Sequence, residues 1–255
     1  GGAVNTNSTL GSSNFGGTIQ TTVKVNTTAG FSIVRYTGNG ATTASIGHGL
    51  GVAPDAIILK NRDSSVADWM VMHSSVPSYD GGNYKHQPLF LNGNAGGSSV
   101  LGVWATPNAT NQQISDGQTS SANRKLTNDN NNKYIAYCFS EVAGYSKFGS
   151  YTGNNNANGP FVYTGFRPAL IIIKKTSDSG NWTIWDNKRD SYNYGDRSLF
   201  PNLNSAEETG NQFERWDLLS NGFKIVANGG RNNVSGATYV YFAFAEAPFK
   251  NARAR

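Results

Sequence analysis

Gly51-Val52-Ala53-Pro54-Asp55-Ala56-Ile57-Ile58-Leu59-Lys60 returns far downstream as Gly165-Phe166-Arg167-Pro168-Ala169-Leu170-Ile171-Ile172-Ile173-Lys174. Each stretch runs from a Gly and Pro turn into a short, continuously apolar, largely β-branched segment closed by lysine. That pattern predicts a central β-strand buried on both faces. Outward from it the correspondence continues. Tyr36-Thr37-Gly38-Asn39 is answered by Tyr151-Thr152-Gly153-Asn154, Asp68-Trp69-Met70-Val71 by Asn181-Trp182-Thr183-Ile184, and Tyr134–Glu141 by Tyr239–Glu246. The offset falls from 115 at Tyr36/Tyr151 to 114 at Pro54/Pro168, 113 at Trp69/Trp182 and 105 at Tyr134/Tyr239. A drifting offset means that loops have changed length while strands have kept their pattern, as one fold used twice would require.

The partition that follows is a lead over residues 1–30, rich in Gly, Ser, Thr and Asn, and two tandem homologous domains over 31–144 and 145–255. The lead is read as an extended linker or edge strand. Phe31–Tyr36 alternates and stops at the turn cluster Thr37-Gly38-Asn39-Gly40; Trp69–His73 and Trp182–Trp185 are the returning partners of the central strands. In the closing strand Phe242 and Phe244 share one face. Helix is expected only as a single turn over Ser205–Asn211. Two all-β, jelly-roll-like β-sandwiches are the predicted architecture.

Composition narrows the function classes. The 255 residues hold 30 Gly, 8 Pro, 12% aromatic and only 15% charged residues, too aromatic for disorder and too Gly-rich for a helical protein. The net charge of +5 is spread in small groups (Lys174-Lys175, Lys188-Arg189 and the tail Lys250–Arg255), so nucleic acid is not expected as a partner. One cysteine excludes an intrachain disulfide, and Cys138 has no His or Cys at zinc-ligand spacing. No apolar run approaches about 18 residues, so membrane insertion is not expected. No cofactor or metal is expected either.

Catalytic motifs are missing as well. His48 lies in the flexible loop Gly47-His48-Gly49-Leu50-Gly51 and is read as a structural or surface residue, and His73 ends the Trp69 strand as a strand-end polar residue. A glycan hydrolase would need paired carboxylates, for which Asp186, Asp190, Asp196 and Glu207-Glu208 are the candidates. Lys188, Arg189 and Arg197 lie close enough to neutralise the aspartates, and the spacing is not that of a calcium loop. The aromatics carry more. Trp69 and Trp182 recur in register, as core or inter-sheet anchors do. Tyr79, Tyr84 and His86 in the first copy, and Trp185, Tyr192 and Tyr194 in the second, are specific to their copies. They fall in Gly-, Asn- and Asp-rich stretches of the composition that recognition loops use, and are the candidate ligand-binding residues.

Several strings resemble a β-rich repeat domain of tailed-bacteriophage tail-fibre and other virion structural proteins, frequent in marine and cyanobacterial viruses. They are Ala29–Gly40, Ile46-Gly47-His48-Gly49-Leu50-Gly51-Val52-Ala53-Pro54, Lys60-Asn61-Arg62-Asp63, Tyr134–Glu141, Gly159–Pro168 and Ala245–Lys250. The likeness covers both copies and departs from the pattern in an Asn/Ser-rich insertion between Val100 and Asn132. It implies a non-enzymatic virion protein, a tail-fibre or spike segment that presents loops to host polysaccharide. Other virion proteins would be its partners, in a homo-oligomer, commonly a trimer, and the chain would be the C-terminal part of a longer protein. Capsid decoration and a glycan depolymerase are the alternatives.

Overall fold

The structure is a computed structural model that describes residues 12–14, 16–76, 87–97, 104–105, 107–117 and 120–247. Its elements in the first half are β1 (Ser12–Asn14), β2 (Thr21–Asn26), β3 (Phe31–Thr37), β4 (Thr43–Gly47), β5 (Ala56–Asn61), β6 (Trp69–His73), β7 (Leu89–Phe90), β8 (Asn111–Asp116), α1 (Ser121–Thr127) and β9 (Lys133–Phe139). The second half holds β10 (Ser146–Thr152), β11 (Phe161–Tyr163), β12 (Pro168–Lys175), β13 (Thr183–Asp186), β14 (Trp216–Leu219), β15 (Gly222–Ile225) and β16 (Thr238–Ala245). The protein is all-β apart from α1, and its ladders are antiparallel throughout the described strands.

Two units separate: Gly1–Phe90 with Ser98–Ser140, and Glu141–Arg255 with the strap Leu91–Gly97. In the first unit one layer has the order β1-β2-β3-β9-β5-β6-β7 and the other pairs β4 with β8. The second unit has β10-β16-β12-β13 in one layer and β11-β15-β14 in the other. Strand order therefore repeats: β3-β9-β5-β6 corresponds to β10-β16-β12-β13, and β4-β8 to β11-β15. In each unit the two layers close over one apolar core. Val34, Ile57, Leu59, Met70 and Met72 meet Ile46 and Ile114 in the first, and Ile171, Ile173, Trp185 and Tyr241 meet Val162, Trp216, Leu218 and Phe223 in the second.

The repeated Tyr-Thr-Gly-Asn string has one physical explanation in both places. Tyr36 stacks on Tyr134, and Tyr151 on Tyr239, each pair at 4.9 Å and 8° between ring planes. The first tyrosine donates to a backbone carbonyl outside the sheet, Tyr36 to Thr127 O at the end of α1 (2.6 Å) and Tyr151 to Asn232 O (2.9 Å). The glycine is needed because a Cβ at Gly38 would stand 2.2 Å from Asp129 O, and one at Gly153 2.3 Å from Val234 O. The asparagines close the corner: Asn39 N–H donates to buried Asn128 Oδ1 (3.0 Å) and Asn154 N–H to buried Asn233 Oδ1 (2.8 Å). Such buried amides are tolerated because nearly every donor and acceptor finds a partner.

Several expectations are corrected. The central strands β5 and β12 are in place, but they alternate: Ile57, Leu59, Ile171 and Ile173 are fully buried while Ile58 and Ile172 are half-buried. A central position supplies neighbours in the sheet and not always cover on the second face. Trp182 is buried as expected of a core residue, packed on Phe242 (6.3 Å), but its counterpart Trp69 is only half-buried. Ser205–Asn211 forms no helical turn; Glu208 instead exchanges two 3.0 Å backbone bonds with Ser198. Helix occurs at α1, inside the Asn/Ser-rich insertion, where Ala122, Arg124, Lys125 and Leu126 are good helix formers. From the lead, β2 joins the sheet edge through β3, with β1 outside it. Finally, the strap Leu91–Gly97 sits with the second unit. Gly97 N–H donates to Thr176 O (3.2 Å), Gly180 N–H to Asn94 O (2.8 Å) and Lys174 Nζ to Asn94 O (3.3 Å).

Candidate functional site

The stretch Asp186–Arg197 leaves the end of β13 as a loop whose charges are used internally. Asp186 Oδ1 accepts the backbone N–H of Lys188 and of Arg189, both at 2.9 Å, and Oδ2 pairs with Arg189 Nε at 2.6 Å. The same guanidinium reaches Glu207 (2.9 Å) and Ile184 O (3.0 Å). Burial by itself would raise the Asp186 pKa, but the bonds from Arg189 and Lys188 outweigh it and hold the carboxyl below its ordinary value. Asp190 Oδ2 accepts the N–H groups of Asp196 (3.0 Å) and Arg197 (2.8 Å), with Arg197 Nε at 3.5 Å from Oδ1. Both aspartates thus serve as turn anchors, the arrangement short Asp side chains favour in loops.

Further along, Asn193 clamps the loop to β14: its Oδ1 accepts Leu218 N–H (3.0 Å) and its Nδ2 donates to Leu218 O (3.1 Å). Gly195 and Trp216 exchange backbone bonds of 2.8 and 3.1 Å, and a Cβ at Gly195 would enter the Trp216 ring. Either side of Asn193, Tyr192 is 85% exposed and Tyr194 51% exposed. Arg215 lies over the Tyr194 ring at 4.3 Å. Two aromatic side chains are thereby held outward on a backbone fixed from several directions.

Trp185 does not join them. It is 1% exposed, stacks on Trp216 at 5.4 Å and donates from Nε1 to Ser198 Oγ at 3.0 Å. It stands opposite Ile171 in the β12–β13 ladder and shares the inward face. Its register counterpart Met72 is itself buried, and that signal was available in the repeat. Tyr79, Tyr84 and His86 lie outside the described residues.

The histidines that are described have internal work. His48 accepts Leu50 N–H at Nδ1 (3.2 Å), so its Nε2 carries the proton donated to Asn108 O (3.0 Å), and burial lowers its pKa against that bond. Buried His73 accepts Ser75 N–H at Nδ1 (3.1 Å). Burial also pushes the Cys138 thiol up to about 12. Among the described residues no group of three or more His, Cys, Asp or Glu side chains is placed to hold a metal ion. No helix of the described residues is long and apolar enough to cross a membrane.

A second polar cluster holds Glu208, one of the candidate carboxylates, together with Arg231 and Glu214, which the sequence did not single out. Arg231 chelates Glu208 through both terminal nitrogens (2.7 and 2.9 Å) while its guanidinium stacks on Phe200 at 4.6 Å. Glu214 is buried and accepts Arg231 N–H (3.0 Å) and Asn232 Nδ2 (2.7 Å); burial raises its pKa in spite of these bonds. Its partners are well separated along the chain, which is why no motif exposes it.

The family model for a domain of unknown function, DUF7483, matches residues 5–248. The chain belongs to this family. The one DUF7483 match spans both units. No curated protein and no solved structure matches the chain.

Proposed function

We propose that this chain is a non-enzymatic virion component of a tailed bacteriophage, a tail-fibre or spike segment that presents loops of its second unit to host-surface polysaccharide. The observation that carries the reading is the loop after β13. It projects Tyr192 and Tyr194 into solvent from a backbone pinned by Asn193, Asp190 and Gly195. Rigid aromatics offer contact area at low entropic cost, and the C–H faces of sugar rings can lie on them. The tail-fibre resemblance of both copies supports the same reading. Asp186 and Asp190, the carboxylates a depolymerase would use, are engaged as turn acceptors, which favours binding over hydrolysis.

In this reading the chain works as a homo-oligomer, a trimer, docked on other virion proteins. Weak sites repeated around an axis then add by avidity. Immunogold electron microscopy of purified particles, with antibody raised to residues 1–255, tests the placement. Gold on tail fibres or tips is the expected result. Gold spread over the head would replace the reading with capsid decoration, and particles without label would overturn a virion location.

A further inference from the structure

A cavity of about 660 Å³ opens in the second unit between the strap Leu91–Gly97, the β12–β13 turn and the segments around Phe213 and Arg231. Its size falls within the range of small-ligand sites, about 300–1,000 Å³. Its lining is set in place by glycine and amide chemistry. Asn94 is fixed through its carbonyl, which accepts from Gly180 N–H and Lys174 Nζ, so its side chain is left for other use. Asn202 Nδ2 donates to Asn181 Oδ1 (2.9 Å), leaving the Asn181 NH₂ group without an acceptor among the described residues. Asn211 Oδ1 accepts Phe213 N–H (3.0 Å), and Gly230, at φ 67°, passes so close that a Cβ there would stand 2.0 Å from Phe213 O. The Phe213 ring is thus carried on a fixed backbone and is 46% exposed at the cavity.

Charge decides which ligand class fits. The two cations of the lining are already neutralised, Lys175 by Asp178 at 2.5 Å and Arg231 by Glu208. An anion entering here would find no unpaired cation and would meet the Glu214 carboxyl group in the wall. An apolar peptide would strand the amides of Asn94 and Asn181 and the Ser179 hydroxyl, which costs more than one ring recovers. A pyranose ring suits both features, because it has an apolar C–H face to lie on Phe213 and a rim of hydroxyls to exchange bonds with the amides. From this geometry we infer that the cavity bounded by Asn94, Ser179, Asn181, Asn211 and Phe213 is a binding site for an uncharged sugar residue. It deepens the host-glycan reading, on which it rests, by adding a second glycan contact to the one proposed at Tyr192 and Tyr194.

Saturation-transfer difference NMR on the intact 255-residue chain tests it, with the methyl glycosides of glucose, galactose, mannose and N-acetylglucosamine as probes. At least one probe should receive magnetisation. Phe213→Ala and Asn181→Ala should each weaken its binding by about tenfold, the worth of one aromatic or hydrogen-bonded contact. Phe213 is exposed, so its variant should melt with the wild type, and a melting curve checks this. Transfer that survives in both variants but disappears in Tyr192→Ala or Tyr194→Ala would overturn the cavity while leaving the host-glycan reading intact. Absence of transfer from the wild type to any of the four probes would overturn the inference, and immunogold labelling then decides separately whether the virion reading stands.

Discussion

Lys174 is a fully buried cation on the face of β12 opposite the core residues Ile171 and Ile173, and among the described residues its ammonium group donates to the carbonyls of Lys175 (2.6 Å) and Asn94 (3.3 Å). Burial lowers its pKa to about 8, with the nearby charge of Lys175 acting in the same direction and Asp178 opposing both. In the unfolded chain the group titrates near 10.4. The folded protein therefore releases this proton first, so the unfolded state binds more protons between about pH 8 and pH 10 and stability must rise with pH across that window. Burying the charged form is a penalty present at pH 7 that fades as the amine becomes neutral. Its full size is roughly 3 kcal/mol, of which roughly 1 kcal/mol is recovered between pH 7 and pH 9. Lys174→Met keeps the apolar stem, removes the titration, and leaves Asn94 O with the Gly180 N–H. Urea unfolding followed by tryptophan fluorescence, at pH 7 and pH 9, should show the wild type gaining roughly 1 kcal/mol relative to the variant. The buried tyrosines titrate alike in both proteins and cancel. Equal pH dependence in the two proteins would refute the argument, since a lysine that reached solvent would carry no such slope.

Other predictions follow from the corners and the loop. Asn233→Ala should cost about 2–4 kcal/mol in urea unfolding, because Asn154 N–H, Asn156 O and Ala227 O each lose a partner inside the second unit. Trp185→Ala should cost about 3–5 kcal/mol and change the near-ultraviolet circular dichroism, whereas Tyr192→Ala should stay within about 0.5 kcal/mol of wild type. Asp186 is held below its ordinary pKa in the fold, so its contribution is present above about pH 4 and is lost as pH falls through the folded value. Asp186→Asn should therefore flatten the acid limb of a stability–pH curve, and a curve unchanged in shape would count against the turn-anchor role.

How much of this was legible in the chain depends on the range of the interaction. Strand positions follow from alternation, turn residues and the repeat, all local, and β3, β5, β6, β12, β13 and β16 lie where those signals put them. The repeat also contained enough to place Trp185 inside, through Met72. It did not reveal why Gly38 and Gly153 recur, since the atoms they avoid belong to loops remote in sequence.

The amino-acid sequence by itself determined an all-β chain written twice, because periodicity and Gly/Pro punctuation act over a few residues. Only the tertiary structure decided that Asp186 and Asp190 are turn anchors and that Tyr192 and Tyr194 are exposed. It alone joined Asn94 of the strap to Asn181, Phe213 and Arg231 around one cavity. Hydrogen bonding, desolvation and charge neutralisation depend on distances in space, and antiparallel sheets bring together residues that the chain holds far apart.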